Sequence, residues 1–381
     1  MEKRGSNIST IKKANISLIL RHLRNQSLSC IELSKLTGLS KSAVTTITKQ
    51  MLSLGYLEKT GTEITEYGRH PVLLDIIKDY RYAFGISLHR KEIAACVVNL
   101  KFEPIEIRAQ SVTAFATPQA AVDWAYDACI DIMNAHSIDP EKILGIGIAS
   151  PGPLDCQKGI ILNPPNFPLV QNFPIAEFLS HKTKYPVFLS NVSVLMTMYE
   201  KQIHLPEVKN FVFVIVDKGV GSAIMTDDKI YRGKAGLAGE IGHISIEQNG
   251  NPCACGNKGC LETYITKHEI EKKFQLPSYE QMIDNAYNGN QHSLEIVDYI
   301  AACFGCGIIN IINLLDIEAI VISGELNYRH ELLFSKIQEY INRHCIVAHF
   351  HPVKLLPSVI QSQNIAYSAA MVLDKYYLQE L

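Results

Sequence analysis

Short apolar runs alternate with longer helical stretches along the chain from Tyr82 onward. The runs read AFGISL, IAACVVNL, ILGIGIAS, FVFVIV and AIVIS, and no repeats or low-complexity tracts interrupt the pattern. Buried strands separated by helices build a sheet covered by helices, so this alternation predicts an α/β fold. With 381 residues, of which 47% are hydrophobic, the chain can bury two or three domains.

The charge is unevenly distributed along the sequence. Residues 1–60 contain ten Lys or Arg and three Glu, a net charge of +7, and the remaining 26 basic and 35 acidic residues give −9. A basic head on an acidic body indicates a phosphate-binding module attached to a body that does not bind nucleic acid. The segment 79–81 is the predicted boundary, with a head of residues 1–78 and a body of residues 79–381.

Neither a membrane span nor a secretory signal is predicted. The most apolar stretch, residues 307–322, is interrupted by two Asn, one Asp and one Glu. The N-terminus has basic residues but no apolar segment behind them, and the ten cysteines lack the dense spacing of a small secreted scaffold. We therefore expect a cytoplasmic protein without a membrane partner.

The head carries the pattern of a helix-turn-helix. A first amphipathic helix is marked by Ile16, Ile19, Leu20 and Leu23, and a short second helix by Ile31, Leu33 and Leu36. Gly38 then supplies a tight turn, and Ser40 is placed as the N-cap of a third helix that extends to about Leu54.

On this third helix, one face is apolar and the other is polar and basic. The predicted inward residues are Val44, Ile47, Met51 and Leu54, and the outward residues are Lys41, Ser42, Thr45, Thr46 and Lys49. Small polar donors flanked by lysines suit a helix that enters a DNA major groove. The alternative is a solvated basic face that serves protein contacts.

The segment after Gly55 predicts a wing. It alternates like two short strands around a turn at Gly61, as in a winged helix-turn-helix, and Arg69 near its end is a candidate for minor-groove contact.

The most specific motif of the sequence is CACGNKGC, at residues 253–260. Cys253, Cys255 and Cys260 follow a turn-rich spacing, and His243 lies ten positions upstream. Three thiolates and one imidazole form a closed tetrahedral set, which predicts a structural Zn²⁺ site, whereas the simpler alternative is a loop of free thiols.

Four segments together resemble the ROK family of repressors, open reading frames and sugar kinases. They are GIASPGPLD (147–155), NPPNFP (163–168), AGEIGHISI (238–246) and CACGNKGCLE (253–262). The resemblance covers nearly the whole chain. It implies a two-lobed, actin-like hexokinase fold with a sugar in the cleft. Together with the winged helix-turn-helix, it implies the repressor branch that includes xylose and N-acetylglucosamine regulators.

The resemblance also implies a sugar-binding set of Asn191, Glu240, His243 and Glu262. Carboxylates and amides can hold vicinal hydroxyls, and His243 would use one ring nitrogen for zinc and the other for a sugar hydroxyl. The alternative is that Glu240 and Glu262 cap helices or orient the zinc ligands.

The sequence departs from the family's kinases at the catalytic position. The kinases have an Asp after the Asn of the sugar site, as the general base for the attacked hydroxyl, whereas this chain has Val192. An isopropyl group cannot accept a proton, so we expect no catalytic residue and no enzyme activity.

The nucleotide loops depart as well. Residues 87–92 read SLHRKE in place of a glycine-containing phosphate turn, and residues 217–223 read DKGVGSA, with a carboxylate where triphosphate would lie. Residues 323–325, SGE, keep one glycine of the usual pair.

The sequence therefore predicts a sugar-responsive transcriptional repressor that binds a double-stranded DNA operator as a homodimer or tetramer, with a sugar or sugar phosphate as effector. Two alternatives stay open. One is a ROK sugar kinase with a regulatory head, and the other is a repressor controlled by a protein of the sugar phosphotransferase system.

Overall fold

The structure of the protein is a computed structural model, and it describes residues 8–62, 72–234, 236–360 and 364–374. The chain divides into two compact units. The first contains the described residues up to Pro206 and those from 364 onward, and the second contains the described residues from Glu207 to 360.

The N-terminal head (residues 8–62 and 72–77) consists of three helices and a small antiparallel sheet with the strand order β1-β3-β2. Its elements are α1 (Ile8–Leu23), β1 (Leu28–Ser29), α2 (Cys30–Thr37), α3 (Lys41–Ser53), β2 (Leu57–Thr62) and β3 (Val72–Ile76). The four apolar residues predicted to face inward from α1 are all buried, which confirms the stripe: Ile16, Ile19, Leu20 and Leu23.

Local chemistry fixes both ends of the turn between α2 and α3. Gly38 adopts the left-handed conformation at φ +69° and ends α2, and its N–H donates to the carbonyl of Ser34 at 3.1 Å. Ser40 caps α3 by accepting from the N–H of Ala43 at 3.2 Å. Both predictions at this turn are confirmed.

Two details of the head differ from the sequence prediction. Leu54 is 41% exposed, because it follows α3 as its C-cap, and Thr48 instead joins the buried face of that helix. Gly61 lies inside β2 opposite Leu73, at an irregularity of the ladder, so the predicted turn at Gly61 is wrong. The chain between β2 and β3 falls at residues 63–71, outside the described residues, and so does Arg69.

The rest of the first unit is built on a mixed five-stranded sheet with the order β10-β7-β4-β5-β6. Its strands are β4 (Tyr82–Leu88), β5 (Glu92–Asn99), β6 (Pro104–Ser111), β7 (Ile143–Ser150) and β10 (Val187–Asn191), and a small hairpin is formed by β8 (Leu154–Asp155) and β9 (Ile160–Ile161). Its helices are α4 (Pro118–Ala135), α5 (Ile175–Ser180) and α6 (Val192–Ile203).

The second unit repeats the same strand order, β13-β12-β11-β14-β15. Its strands are β11 (Phe211–Val216), β12 (Val220–Thr226), β13 (Lys229–Tyr231), β14 (Ala319–Gly324) and β15 (Lys354–Pro357). Its helices are α7 (Glu262–Ile265), α8 (Lys267–Phe274), α9 (Tyr279–Tyr287), α10 (Gln291–Leu315) and α11 (His330–His344). In each unit an antiparallel meander of three strands is followed by two parallel strands, which confirms the α/β prediction.

Each unit buries its own apolar core. Strands β4, β5 and β7 pack against α4, whereas β11 and β14 pack against α10 and α11. Among the described helices, α10 is long and apolar enough to cross a membrane, but 56% of its most apolar window is buried, as is common for a core helix.

Candidate metal centre, ligand site and nucleic-acid interface

The four predicted metal ligands come together in the second unit. The ligand atoms of His243, Cys253, Cys255 and Cys260 all lie within 4.8 Å of one another. Cys255 Sγ is 3.7 Å from Cys260 Sγ, and Cys253 Sγ is 3.6 Å from His243 Nδ1. A tetrahedral ion with bonds of about 2.3 Å to sulfur and about 2.1 Å to nitrogen requires separations of about 3.8 Å and about 3.6 Å. The cluster could therefore hold a metal ion.

Glycines and backbone hydrogen bonds shape the loop that carries the cysteines. Gly256 and Gly259 have φ of +91° and +72°, and a Cβ on Gly259 would lie 1.8 Å from the carbonyl oxygen of Glu247. The N–H of Cys253 donates to the carbonyl of Asn257 at 2.9 Å, which closes the turn that contains Cys255. The loop thus holds its sulfurs at one point through its own backbone.

The thiols differ in their electrostatic surroundings. Burial raises the pKa of the Cys253 thiol, whereas a hydrogen bond from the backbone N–H of Asn257 lowers the pKa of the Cys255 thiol. A cation held by the cluster would favour the thiolate form of all three cysteines, which is the form that ligates metals.

Glu262 contacts this cluster directly. It is the first residue of α7, and its Oε1 accepts a hydrogen bond from Cys253 Sγ at 3.1 Å and lies 3.5 Å from His243 Nδ1. Its Oε2 faces Gly219, where a Cβ would lie 3.3 Å away. A metal-bound Cys253 would be a thiolate without a proton to donate, and Nδ1 would itself be a ligand atom, so both alternatives for Glu262, orienting the metal ligands or contacting a sugar, stay open.

His243 is placed for two partners. Its Nδ1 faces Cys253 and Glu262, and its side chain is 37% exposed. The second ring nitrogen, Nε2, cannot share the partners of Nδ1, because the in-plane bonding directions of the two nitrogens diverge widely. Glu240 is exposed just before the turn Ile241–His243, and its side chain makes no capping hydrogen bond to that turn. The helix-capping alternative for Glu240 therefore has no support among the described contacts.

Asn191 lies in the first unit, as the N-cap of α6. Its Oδ1 accepts from the N–H of Ser193 at 3.0 Å and from the Ser193 hydroxyl at 3.1 Å, so its Nδ2 group is the end left for a ligand. Gly152 stands beside it, since a Cβ at that position would lie 2.9 Å from Asn191 Nδ2. The sequence analysis had not identified Gly152 as a neighbour of Asn191.

Val192 follows Asn191 as the half-buried first residue of α6.

The segments compared with nucleotide loops form tight turns. Between β4 and β5, the N–H of His89 donates to the carbonyl of Glu92 at 3.0 Å, and between β11 and β12 the N–H of Asp217 donates to the carbonyl of Gly219 at 2.9 Å. Gly324 has φ +89°, and a Cβ there would lie 2.0 Å from the carbonyl oxygen of Val216. Packing against β11 therefore requires this glycine whether or not a nucleotide binds.

The predicted nucleic-acid face lies along the outside of α3. Its members are exposed or half-buried, opposite the buried stripe of the helix: Lys41, Ser42, Thr45, Thr46 and Lys49. The hydroxyls of Thr45 and Thr46 donate to the carbonyls of Lys41 and Ser42 at 2.7 Å and 2.9 Å. Each hydroxyl thus presents acceptor lone pairs outward and can rotate to donate to a base edge instead.

The sequence analysis missed the residues that hold the head against the rest of the first unit. The Arg24 side chain donates to Gln202, 178 positions away, and Asn25 donates to the carbonyl of Ile203 at 2.8 Å. Periodicity describes neighbours within one element, so no such pattern links residues at this separation.

Comparisons of the sequence and of the structure with known proteins lead to the same family. The ROK family model matches residues 83–375. A xylose repressor of Caldicellulosiruptor bescii is 28% identical over 97% of both chains. A solved ROK family transcriptional regulator, a homolog of the Escherichia coli Mlc protein, superposes with a TM-score of 0.77 at 24% identity over 97% of both chains. A ROK hexokinase from Thermus thermophilus gives a TM-score of 0.66 at 23% identity and covers 76% of this chain and 97% of its own.

Proposed function

The chain belongs to the ROK family, and on that premise we propose that it is a sugar-responsive, DNA-binding transcriptional repressor. The observation that carries the proposal is the capped, outward-facing basic helix α3 on a chain whose remainder is a ROK domain. The full-length similarity to a protein named xylose repressor supports it, and makes xylose the first sugar to test.

The head is proposed to be a winged helix-turn-helix of residues 1–78, with residues 79–381 as the effector domain. Helix α3 would enter the major groove, where Ser42, Thr45 and Thr46 contact base edges and Lys41 and Lys49 contact phosphates. Strands β2 and β3 are the arms of the wing, and Arg69 is proposed to reach the minor groove.

The sugar is proposed to bind Asn191, Glu240, His243 and Glu262. These side chains offer amide and imidazole N–H donors together with carboxylate acceptors, a mixture that suits a ligand with several adjacent hydroxyls. Because His243 Nδ1 faces the thiols, its Nε2 is the atom proposed to contact the ligand.

Zinc is the metal proposed for the cluster of His243, Cys253, Cys255 and Cys260. Thiolate and imidazole ligands suit zinc, whereas magnesium and calcium prefer oxygen. All four tetrahedral positions are supplied by protein side chains, so the ion would crosslink the loop to the turn Ile241–His243 and leave no position for substrate.

Sugar phosphorylation is not part of the proposal. Val192 stands where the kinases of the family have their general base, and the turn at residues 217–219 presents the carboxylate of Asp217 instead of a glycine cradle. The hexokinase likeness therefore supports the fold of the effector domain rather than its activity.

The protein is proposed to act as a homodimer or tetramer in the cytoplasm, with two heads on two half-sites of one operator. Successive half-sites lie about 34–36 Å apart on DNA, so a ligand that changes the spacing of the heads lowers the affinity. Such an operator should be palindromic or nearly so.

The test combines duplex selection with a ligand screen. The full-length protein is used to enrich duplexes from a random library, and its melting temperature is measured with mono- and disaccharides, their phosphates and ATP. An enriched palindrome together with a melting shift by one sugar supports the proposal. Enrichment of no duplex contradicts it, and a shift by ATP with release of ADP supports the kinase alternative. An operator that responds to no sugar favours control by a protein partner.

A further inference from the structure

The head is held on the last turn of α6 by directional polar contacts. Arg24, just after α1, donates from its Nη1 to Gln202 Oε1, and Asn25 Nδ2 donates to the carbonyl of Ile203 at 2.8 Å. Arg24 and Gln202 are 6% and 3% exposed, so the contact is closed to solvent. A buried charge-assisted hydrogen bond depends strongly on geometry, and losing one partner leaves the other poorly satisfied.

A second route also ties Arg24 to α6. Its guanidinium lies over the Phe102 ring at 4.6 Å, and Phe102 packs edge-on against Tyr199 of α6 at 5.6 Å. The end of α1 is thus clamped by α6 both directly and through an aromatic pair.

Gln202 has both ends of its amide engaged. Its Oε1 accepts from Arg24 while its Nε2 donates to Asp374 Oδ1 at 3.1 Å. A side chain fixed at both ends cannot follow one partner without straining the other. A displacement of the last turn of α6 would therefore strain one of these two bonds.

The other end of α6 begins at a proposed sugar ligand. Asn191 is the N-cap and accepts from the N–H of Ser193, so its position and that of the first turn are linked. Twelve residues at 1.5 Å each make the helix about 18 Å long. Near the far end, Lys201 Nζ donates to the carbonyl of Pro206, where the chain leaves the first unit, at 3.0 Å.

We infer that α6 transmits ligand binding from Asn191 to the head, with Gln202 and Arg24 as positioning residues at the point of docking. The inference rests on the proposed function, because it assigns a regulatory element to that sugar site and that DNA-binding head. A ligand that draws Asn191 toward itself shifts the helix as a unit, and the shift breaks or strains the Arg24–Gln202 bond. The head then loses its fixed orientation.

The experiment compares full-length Gln202→Met with a matched control, Lys101→Met. Methionine keeps the length of glutamine, but its thioether is only a weak acceptor for Arg24 and cannot donate to Asp374. The control removes a different contact of the head, the ion pair of Lys101 with Asp75 at 2.7 Å, which does not involve α6. Two quantities are measured for each protein: the ratio of operator Kd with and without xylose, and the hydrogen exchange of amides in α2 and α3 without ligand.

In the wild type, a coupling of roughly 5- to 150-fold is expected for xylose on operator Kd. In Gln202→Met the ratio should fall below about 2-fold while the xylose affinity of the free protein is kept, because the proposed sugar site is intact and the link from α6 to the head is cut. Exchange in α2 and α3 should become faster. Lys101→Met should keep the wild-type ratio.

The inference is overturned if Gln202→Met keeps the full ratio, or if both variants lose it equally. If wild-type operator binding ignores xylose, the proposed ligand has failed. The exchange measurement then decides the inference alone, since unchanged protection in Gln202→Met would contradict docking on α6. If Gln202→Met does not fold, Arg24→Met cuts the same bond from the other side, and Arg24→Lys, which retains a cationic donor, should preserve more of the coupling than Arg24→Met.

Discussion

His243 is the one residue that belongs both to the proposed metal site and to the proposed sugar site. Its Nδ1 lies 3.6 Å from Cys253 Sγ, and the proposed sugar contact uses Nε2. When one imidazole nitrogen is bound to a metal, the other must carry the proton and becomes a fixed N–H donor. In the proposed site, the metal would therefore set both the orientation of the ring and its hydrogen-bonding role toward the ligand.

Removing one thiol of the cluster should release the metal. We expect Cys260→Ser to lose bound zinc and to melt roughly 10 °C lower, because the binding energy of a closed structural site contributes to folding. The measurements are metal content by mass spectrometry and thermal unfolding. Cys303→Ser, which alters a half-buried cysteine on α10 outside the cluster, is the control and should keep the metal. Retention of stoichiometric zinc by Cys260→Ser would contradict the assigned ligand set.

A lysine on the outer face of α3 should contribute to DNA affinity through phosphate. We expect Lys49→Ala to weaken operator binding and to reduce the slope of log K against log salt by about 0.9 per half-site, because one phosphate contact and its released counterion are lost. The check is a titration at several salt concentrations. Lys158→Ala makes the same charge change on a side chain that is 75% exposed in the ROK domain, and it should leave the slope unchanged. Equal slopes for Lys49→Ala and wild type would remove this lysine from the interface.

At the scale of elements, the position of α3 depends on the turn before it. Gly38 ends α2 in the left-handed conformation and Ser40 begins α3 two residues later, so the angle between the helices is fixed within a few residues. The buried residues Val44, Ile47 and Met51 then pack α3 against the other elements of the head, so the polar face of α3 is directed outward.

Two glycines of the head make a matched comparison. A Cβ would meet nothing within 4 Å at either Gly38 or Gly61, but only Gly38 has a positive φ, +69°. We expect Gly38→Ala to destabilise the head by about 1–2 kcal/mol, the cost of a left-handed conformation for a residue with a Cβ, and Gly61→Ala to have little effect. Hydrogen exchange of α2 and α3 measures the difference. Equal protection in the two variants would show that the turn does not control the head.

Local signals predicted much of this architecture, whereas long-range contacts escaped prediction. The turn at Gly38, the Ser40 cap and the metal cluster were found because each depends on residues close in sequence. The two-residue strand β1 was missed because it is too short to show alternation. The placement of Gly61 inside β2 depends on pairing with Leu73, which the local sequence does not specify.

For the molecule as a whole, one sheet topology occurs twice, once in each unit. The first hairpin of each sheet carries one of the turns compared with phosphate loops, at residues 87–92 and 217–219. Both turns have side chains where a phosphate cradle needs glycine. The topology is thus compatible with the ROK fold, and the composition of these two turns supports the proposal of a domain that binds a ligand without chemistry.

Restoring the missing carboxylate should not restore a kinase. We expect Val192→Asp to release no ADP above background with xylose or glucose, because the phosphate turns would still lack their glycines. Aspartate is well tolerated in the first turn of a helix, so the variant should fold. A coupled ADP-release assay checks this. Sugar-dependent release of ADP by the wild-type chain would contradict the assignment as a non-enzyme.

The central claim, that one chain joins operator binding to sugar sensing, is tested most directly by titrating the full-length protein into its selected duplex with and without sugar. The account predicts saturable, salt-sensitive binding whose Kd changes by roughly 5- to 150-fold with one sugar and not with ATP. An operator Kd that stays the same across the whole sugar panel would contradict sugar sensing, and equal affinity for selected and random duplexes would contradict the repressor itself.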